Sequence, residues 1–258
     1  MRFAGGVLRL TIDRPAKRNA LDDDIVAALI DAISTSATDE RVRAILLDSA
    51  GDDFCSGFDI VARNAPGGGR PRVGSIQRRM PLQANRLVPA MLSTQVPIVC
   101  AVRGWAAGIG LAMALAADVT VCADDARFWA PFVGRGFTPD SGCTWMLPRR
   151  VGEVRARSML LLGTVVDGRT AAEWGMVHAA VPVDGLGAAV DDVLVRLATG
   201  PTVALGLTKS LLHHGRTLDL SDALREESLA MELSSRSEDF REGFAAFREK
   251  REPRFGGR

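Results

Sequence analysis

The sequence predicts an α/β fold: a largely parallel sheet covered by helices, followed by a purely helical region. Three observations carry this reading. Short apolar, β-branched runs recur through the first half of the chain, segments of helical periodicity separate most of them, and beyond about Val183 the pattern is helical to the end.

Taken in order, the first strand is "GVLRLTID" (Gly6 to Asp13). After "NAL", the residues Leu21, Ile25, Ala28, Leu29, Ala32 and Ile33 recur at helical spacing. Asp22, Asp23 and Asp24 fall in the first turn of that helix, where the helix dipole favours anions, so this acidic triplet reads as structural. "VRAILLDS" (Val42 to Ser49), "VPIVCAVRG" (Val96 to Gly104) and "VTVCAD" (Val119 to Asp124) supply three more strands. "NAPGGGRPRVGS" (Asn64 to Ser75) has four glycines and two prolines and predicts a mobile loop. It lacks the Gly-x-Gly-x-x-Gly spacing and the Lys-Ser/Thr of a phosphate loop, which argues against a nucleotide site there. "LGAAVDDVLVRLATG" and "SDALREESLAMELSSRSEDFREGFAAFREKREPRF" are helical, and Phe240, Phe244 and Phe247 form a stripe at i, i+4 and i+7. That stripe is expected to dock on the core or on a neighbouring subunit. The implied division is a core over residues 1–195 and a helical region over 196–258.

The composition limits the function. A chain of 258 residues is long enough to bury a full core. Lys plus Arg number 32 and Asp plus Glu 31, and the formal charge of +1 gives no overall attraction to nucleic acid or anionic lipid. Cys55, Cys100, Cys122 and Cys143 show no paired metal-ligand spacing and read as reduced and structural, so no metal site is expected. The N-terminus "MRFAGGVLRLTIDRP" has no apolar leader region, and charges break every apolar run before it reaches spanning length. A cytoplasmic, soluble protein is the expectation.

Two turns carry chemistry. "GDDFCSGFD" (Gly51 to Asp59) follows a strand and places Ser-Gly at a sharp turn, while "GWAAGIGLAMALAAD" (Gly104 to Asp118) follows another and opens a helix at Gly108-Ile109-Gly110. Small residues let a ligand approach the backbone, and amides at a helix start are unpaired and electropositive. Either turn alone is ordinary close packing. Converging, they would hold the enolate oxygen of a thioester, a stabilisation of roughly 3 kcal/mol per donor.

These stretches, together with "RPAKRNAL" (Arg14 to Leu21), "GFTPDSGCTWMLPR" (Gly136 to Arg149), "TAAEWGMVHAAVP" (Thr170 to Pro182) and the closing "FREKREPRFGGR", resemble the crotonase or enoyl-CoA hydratase/isomerase family over nearly the whole chain. The resemblance implies a spiral of ββα units, a C-terminal helical region used for trimerisation, and an acyl-CoA thioester held by the backbone amides of Phe58 and Ile109. It implies no cofactor beyond the coenzyme A of the substrate, and a homotrimer or a dimer of trimers as the assembly. Lys17, Arg18 and Lys250, with Arg251, become contacts for the coenzyme A phosphates. Ala20, Leu21, Ser56, Asp59, Ile60, Trp105, Gly108, Phe132 and Phe137 become substrate-lining positions, with Trp129 among the bulky walls. Read from the residues alone, Ser56 and Ser141 are small turn residues and Asp59 and Asp118 are turn or cap carboxylates.

The departures from the family pattern are informative. The family's hydratases activate water with two glutamates, and the matching positions here are Ala112 and Phe132. Hydration needs a group to deprotonate water, so these residues demote it. "PDSGCTWMLPR" is similar to the isomerase branch, in which a lone carboxylate follows the proline, and this makes Asp140 the candidate acid/base. A double-bond shift needs one base that removes a proton α to the thioester and returns it at the γ-carbon. Phe132, Phe137 and Trp145 are expected to face Asp140 and disfavour its charged form by desolvation. The competing reading of Asp140 is a helix N-cap. Hydration, thioester hydrolysis, dehalogenation and non-catalytic acyl-CoA binding remain the alternatives. None of His178, His213 and His214 sits in a triad motif.

Overall fold

The computed structural model describes residues 1–60 and 72–258. The chain opens with strands β1 (Arg2–Ala4) and β2 (Val7–Ile12), paired antiparallel. Helix α1 (Asp23–Ser36) follows, and the Asp22 carboxylate caps it by accepting the Ile25 amide at 2.9 Å. Strand β3 (Ala44–Ser49) returns parallel to β2. The segment expected to be mobile, 64–75, lies outside the described residues up to position 71. Helices α2 (Ser75–Arg79) and α3 (Leu87–Ser93) then lead to strand β4 (Ile98–Val102).

After β4 the chain forms β5 (Trp105–Ala107), helix α4 (Ile109–Ala116), β6 (Val119–Ala123) and β7 (Arg127–Trp129). Helices α5 (Cys143–Val151) and α6 (Glu153–Leu161), strand β8 (Val166–Asp167), helix α7 (Gly168–Glu173) and strand β9 (Ala179–Val181) complete the strand-bearing part. One sheet has the order β1-β2-β3-β4-β6-β9, parallel from β2 onwards, and a smaller one has the order β5-β7-β8.

The apolar runs follow from this layout, because a parallel sheet covered on both sides buries every residue of its central strands. All six residues of β3 are buried. Ile45, Leu47, Ile98 and Cys100 face the main core with α1, α3 and α4, while Ala44, Leu46, Val99 and Val121 face Leu186, Val190 and Leu194 of helix α8 (Leu186–Ala198). A buried leucine of this kind contributes about 1.5–3 kcal/mol. The four cysteines are buried and free. Desolvation pushes the thiols of Cys55, Cys122 and Cys143 up to about 12.

Helices α9 (Thr202–His214), α10 (Leu220–Ser234) and α11 (Glu238–Glu249) close the chain. The boundary expected at 195/196 falls inside α8. Lys209 of α9 is buried and reaches Asp118 at 2.7 Å and the Val96 carbonyl at 3.1 Å, tying the helical region to the core. Asp118 also accepts the Ile98 amide at 2.7 Å, so it is an inter-element anchor rather than a cap. At the end of the chain the buried Asp239 accepts the amides of Gly256 and Gly257. The aromatic stripe does not dock on the core of its own chain. Phe240, Phe244 and Phe247 are 46%, 63% and 85% exposed, because α11 buries Asp239 and Ala246 instead.

Candidate active site

Three sequence segments lie side by side. The loop 17–21 runs along the turn 54–59, with Ser56 N donating to Arg18 O at 3.0 Å, Leu21 N to Gly57 O at 2.9 Å, and Asp59 N to Leu21 O at 2.7 Å. That turn in turn runs along β5, through Cys55 N to Trp105 O at 2.8 Å and Ala107 N to Cys55 O at 2.9 Å. The two glycine turns therefore converge. A Cβ on Gly108 would stand 3.8 Å from Gly57 Cα, and one on Gly110 only 2.5 Å from the Cys55 carbonyl, a position open to glycine alone. Both Gly57 and Gly108 have positive φ, 112° and 56°, which aims the following residues, Phe58 and Ile109, from adjacent backbone. Ile109 is the first residue of α4, where amides lack an intrahelical partner.

Supporting residues fix these segments. Arg18 Nε binds Asp53 at 2.6 Å and its guanidinium lies 5.7 Å from the Trp105 ring, and Asp53 also accepts the Trp105 amide at 2.9 Å. Partial burial works against ionisation of Asp53, but Arg18 and the Trp105 amide outweigh it and hold the carboxyl below its usual value. Arg14 reaches the Ala20 carbonyl at 2.8 Å and Asp59 at 3.4 Å. The buried amide of Asn19 spans the carbonyls of Ala50 (2.7 Å) and Asp53 (2.6 Å) and accepts Arg14 N at 2.8 Å. Sequence reasoning assigned no role to Arg14, Asn19 or Asp53. The one usable signal was an asparagine, which tolerates the left-handed φ of 55° found at Asn19.

Asp140 lies just ahead of α5. Gly142, with no side-chain cap bond, is the N-cap of α5, so the N-cap reading of Asp140 is overturned. The reason is backbone geometry: Ser141 and Gly142 both have positive φ, 52° and 79°, and this delays the helix start until Cys143. The Asp140 carboxylate instead accepts Ser141 Oγ at 2.9 Å. Burial pushes its pKa up, and the Ser141 hydrogen bond opposes the rise. Cys143 links this turn to the glycine turns, its thiol donating weakly to the Gly108 carbonyl at 3.9 Å.

The remaining positions divide. Ala112 and Phe132 are buried, and Phe132 meets Phe137 edge to face at 5.8 Å. Trp145 has Arg149 and Arg216 within 4.3 and 5.1 Å of its ring. Trp129 packs edge-on against Trp105 at 5.6 Å, and its carbonyl accepts Gly108 N at 3.1 Å. Among the described residues Ser56 Oγ reaches only the Lys17 carbonyl, at 3.4 Å, while Lys17 is exposed and Ile60 half-buried. Lys250, in left-handed geometry at the end of α11, is exposed and bonds locally to Phe247 O. Arg251 is paired with Glu242 and Glu249, which compensates the charge expected to meet a phosphate. An open cavity of about 780 Å³ lies elsewhere, between β2 and α1, lined by Leu8, Leu10, Ile25 and Leu29 among others, and neither Asp140 nor the glycine turns line it.

A family model described as enoyl-CoA hydratase/isomerase matches residues 2–258. The chain belongs to this family. It is 37% identical over 254 residues to the 1,2-epoxyphenylacetyl-CoA isomerase of Escherichia coli (strain K12), covering 98% of this chain and 96% of that protein. It is 36% identical over 253 residues to a probable enoyl-CoA hydratase of Rhodobacter capsulatus, covering 98% and 95%. The crystal structure of enoyl-CoA hydratase from Mycobacterium smegmatis superposes with a TM-score of 0.90 at 27% identity, covering 99% of this chain and 97% of that one. The fold is thus that of the crotonases, and the protein is an acyl-CoA enzyme of the enoyl-CoA hydratase/isomerase family. Among the described residues no helix is long and apolar enough to cross a membrane.

Proposed function

We propose that this family member is an isomerase of an unsaturated or ring-modified acyl-CoA, with Asp140 as its acid/base. The observation that carries the reading is the state of that carboxylate: it caps no helix, burial raises its pKa, and its turn is joined through Cys143 to the second glycine turn. In this reading the thioester oxygen is held by the amides of Phe58 and Ile109. Asp140 removes a proton from the α-carbon, the electron pair moves into the enolate, and the same proton returns at the γ-carbon. A raised pKa makes the carboxylate a stronger base and its conjugate acid usable near neutral pH.

Several features support isomerisation over water addition. The two positions that the family's hydratases fill with glutamate hold Ala112 and Phe132, and both side chains are buried and apolar. The relative at 37% identity is named an isomerase. The reading needs no metal or redox cofactor, only the coenzyme A carried by the substrate. Its assembly is a trimer or a dimer of trimers, in which the exposed stripe Phe240, Phe244 and Phe247 would be covered. The test is product analysis by proton NMR. A six-carbon 3-enoyl-CoA should be converted to the 2-enoyl isomer with no 3-hydroxyacyl-CoA formed, whereas accumulation of the hydroxy product from the 2-enoyl-CoA would favour a hydratase.

A further inference from the structure

Ser141 is a nearly buried residue, 7% exposed, with φ of 52°. A non-glycine residue at positive φ is uncommon, and such strain persists where the surroundings demand it. Its neighbour Gly142 takes the left-handed conformation without penalty, so the chain could place a second glycine at 141 at no conformational cost. The serine differs from that glycine by a side chain whose hydroxyl has one partner among the described residues, donating to Asp140 Oδ1 at 2.9 Å. No other side-chain donor reaches Asp140 among the described residues. The ionisable group facing it from α5 is the Cys143 thiol, which is pushed up to about 12 by burial and by the Asp140 charge, and which points its own hydrogen at Gly108 O. No lysine, arginine or histidine pairs with the carboxylate among the described residues.

We propose that Ser141 is a positioning residue for Asp140: its hydroxyl occupies Oδ1, fixes the carboxylate rotamer and leaves Oδ2 to carry the substrate proton between the α- and γ-carbons. This rests on the isomerase reading. During the reaction the α C–H bond breaks, its proton forms a bond to Oδ2, and the electron pair enters the thioester enolate. The γ-carbon of the dienolate then takes that proton from Oδ2 as the thioester carbonyl re-forms and the double bond settles between the α- and β-carbons, and the carboxylate is restored, still held by Ser141. The hydroxyl has a second effect. A donor to the charged form opposes the desolvation that raises the pKa, so Ser141 keeps the base ionised at working pH.

The experiment uses Ser141→Gly and Ser141→Ala in the full-length protein. Glycine relieves the positive φ, so that variant is expected to fold at least as well as wild type. Carbon-13 titration of the Asp140 carboxyl reads the second effect without substrate, and its midpoint should rise by about one pH unit in both variants, in line with the loss of a hydrogen bond to a charged group. The acidic limb of kcat/KM for a six-carbon 3-enoyl-CoA should move up with it, with kcat reduced several-fold and KM nearly unchanged. An unmoved Asp140 midpoint and an unmoved acidic limb in both variants would overturn the role of Ser141, while an inactive Asp140→Asn in the same assay would leave the isomerase reading standing. Full activity of Asp140→Asn would overturn both.

Discussion

Two aspartates stand just ahead of helices in this molecule, and their environments are opposite. Asp167 is the N-cap of α7: its carboxylate accepts the Thr170 amide at 2.8 Å, and hydrogen bonds from Thr170 hold its pKa below the usual value in an exposed setting. Asp140 precedes α5 without capping it, and has its pKa raised by burial. The residues after Asp167 enter the helix directly, so an amide turns back to meet the carboxylate. Ser141 and Gly142 instead take left-handed conformations, and the helix starts with Gly142 as its cap. A carboxylate near a helix start thus caps the helix or stands clear of it according to the φ angles of the one or two residues that follow it.

The largest effect expected from this contrast is kinetic. Asp140→Asn should lower isomerisation of a 3-enoyl-CoA by about a hundred- to ten-thousand-fold, the usual contribution of a general acid/base, with acyl-CoA affinity by calorimetry nearly unchanged. Equal turnover by the variant would remove the distinction between the two aspartates. Next comes stability. Asp167→Ala should cost about 1 kcal/mol in chemical denaturation, the usual loss for a helix cap, and leave kcat/KM unaltered. Asp140→Asn should show no such cost, because no helix amide depends on that side chain. A comparable loss at both sites would contradict the reading of Asp140 as uncapping.

The smallest effect is a difference in pH dependence. The folded pKa of Asp167 is depressed below 3.8, so its stabilisation is present above that value and is lost as pH falls through the folded pKa. The folded pKa of Asp140 is raised above 3.8, so ionisation penalises the folded state as pH rises through it, and the penalty vanishes on acidification. Between about pH 3 and pH 7, Asp140→Asn should therefore gain stability relative to wild type and Asp167→Asn should lose it. The second slope will be the shallower, since water screens the exposed carboxylate. Parallel slopes would show that the two environments are alike.

This contrast also marks what a sequence can carry. Strands β2, β3, β4 and β6 of the large sheet were legible because burial leaves an apolar run such as "AILLDS" in β3, whereas the exposed three-residue β1 was not. The small sheet was not, since β5 and β7 have three residues each and β8 two, too short for any period to register. The glycine turns were visible as residue types, but their convergence stayed open until the structure showed Gly110 packed where no Cβ fits. The state of Asp140 was hidden, because its deciding feature is a positive φ at a serine, and serine gives no signal of that conformation. The orienting contacts of Arg14, Asn19 and Asp53 were hidden for another reason: they are long-range pairings such as Asn19 to Ala50 and Arg18 to Asp53, which depend on loop paths that local spacing does not encode.

The most direct test of the central claim reads the proton itself. Wild type and Asp140→Asn, each saturated with the same 3-enoyl-CoA in deuterated buffer, can be followed by NMR for loss of the α-proton signal. If Asp140 is the base, the α-CH2 signal of the wild-type sample decays during turnover as the proton moves to the γ-carbon, and in the variant, equally occupied, it decays at least about a hundred-fold more slowly. Decay at the wild-type rate in the variant would show that another group removes the proton and that Asp140 has no part in the chemistry.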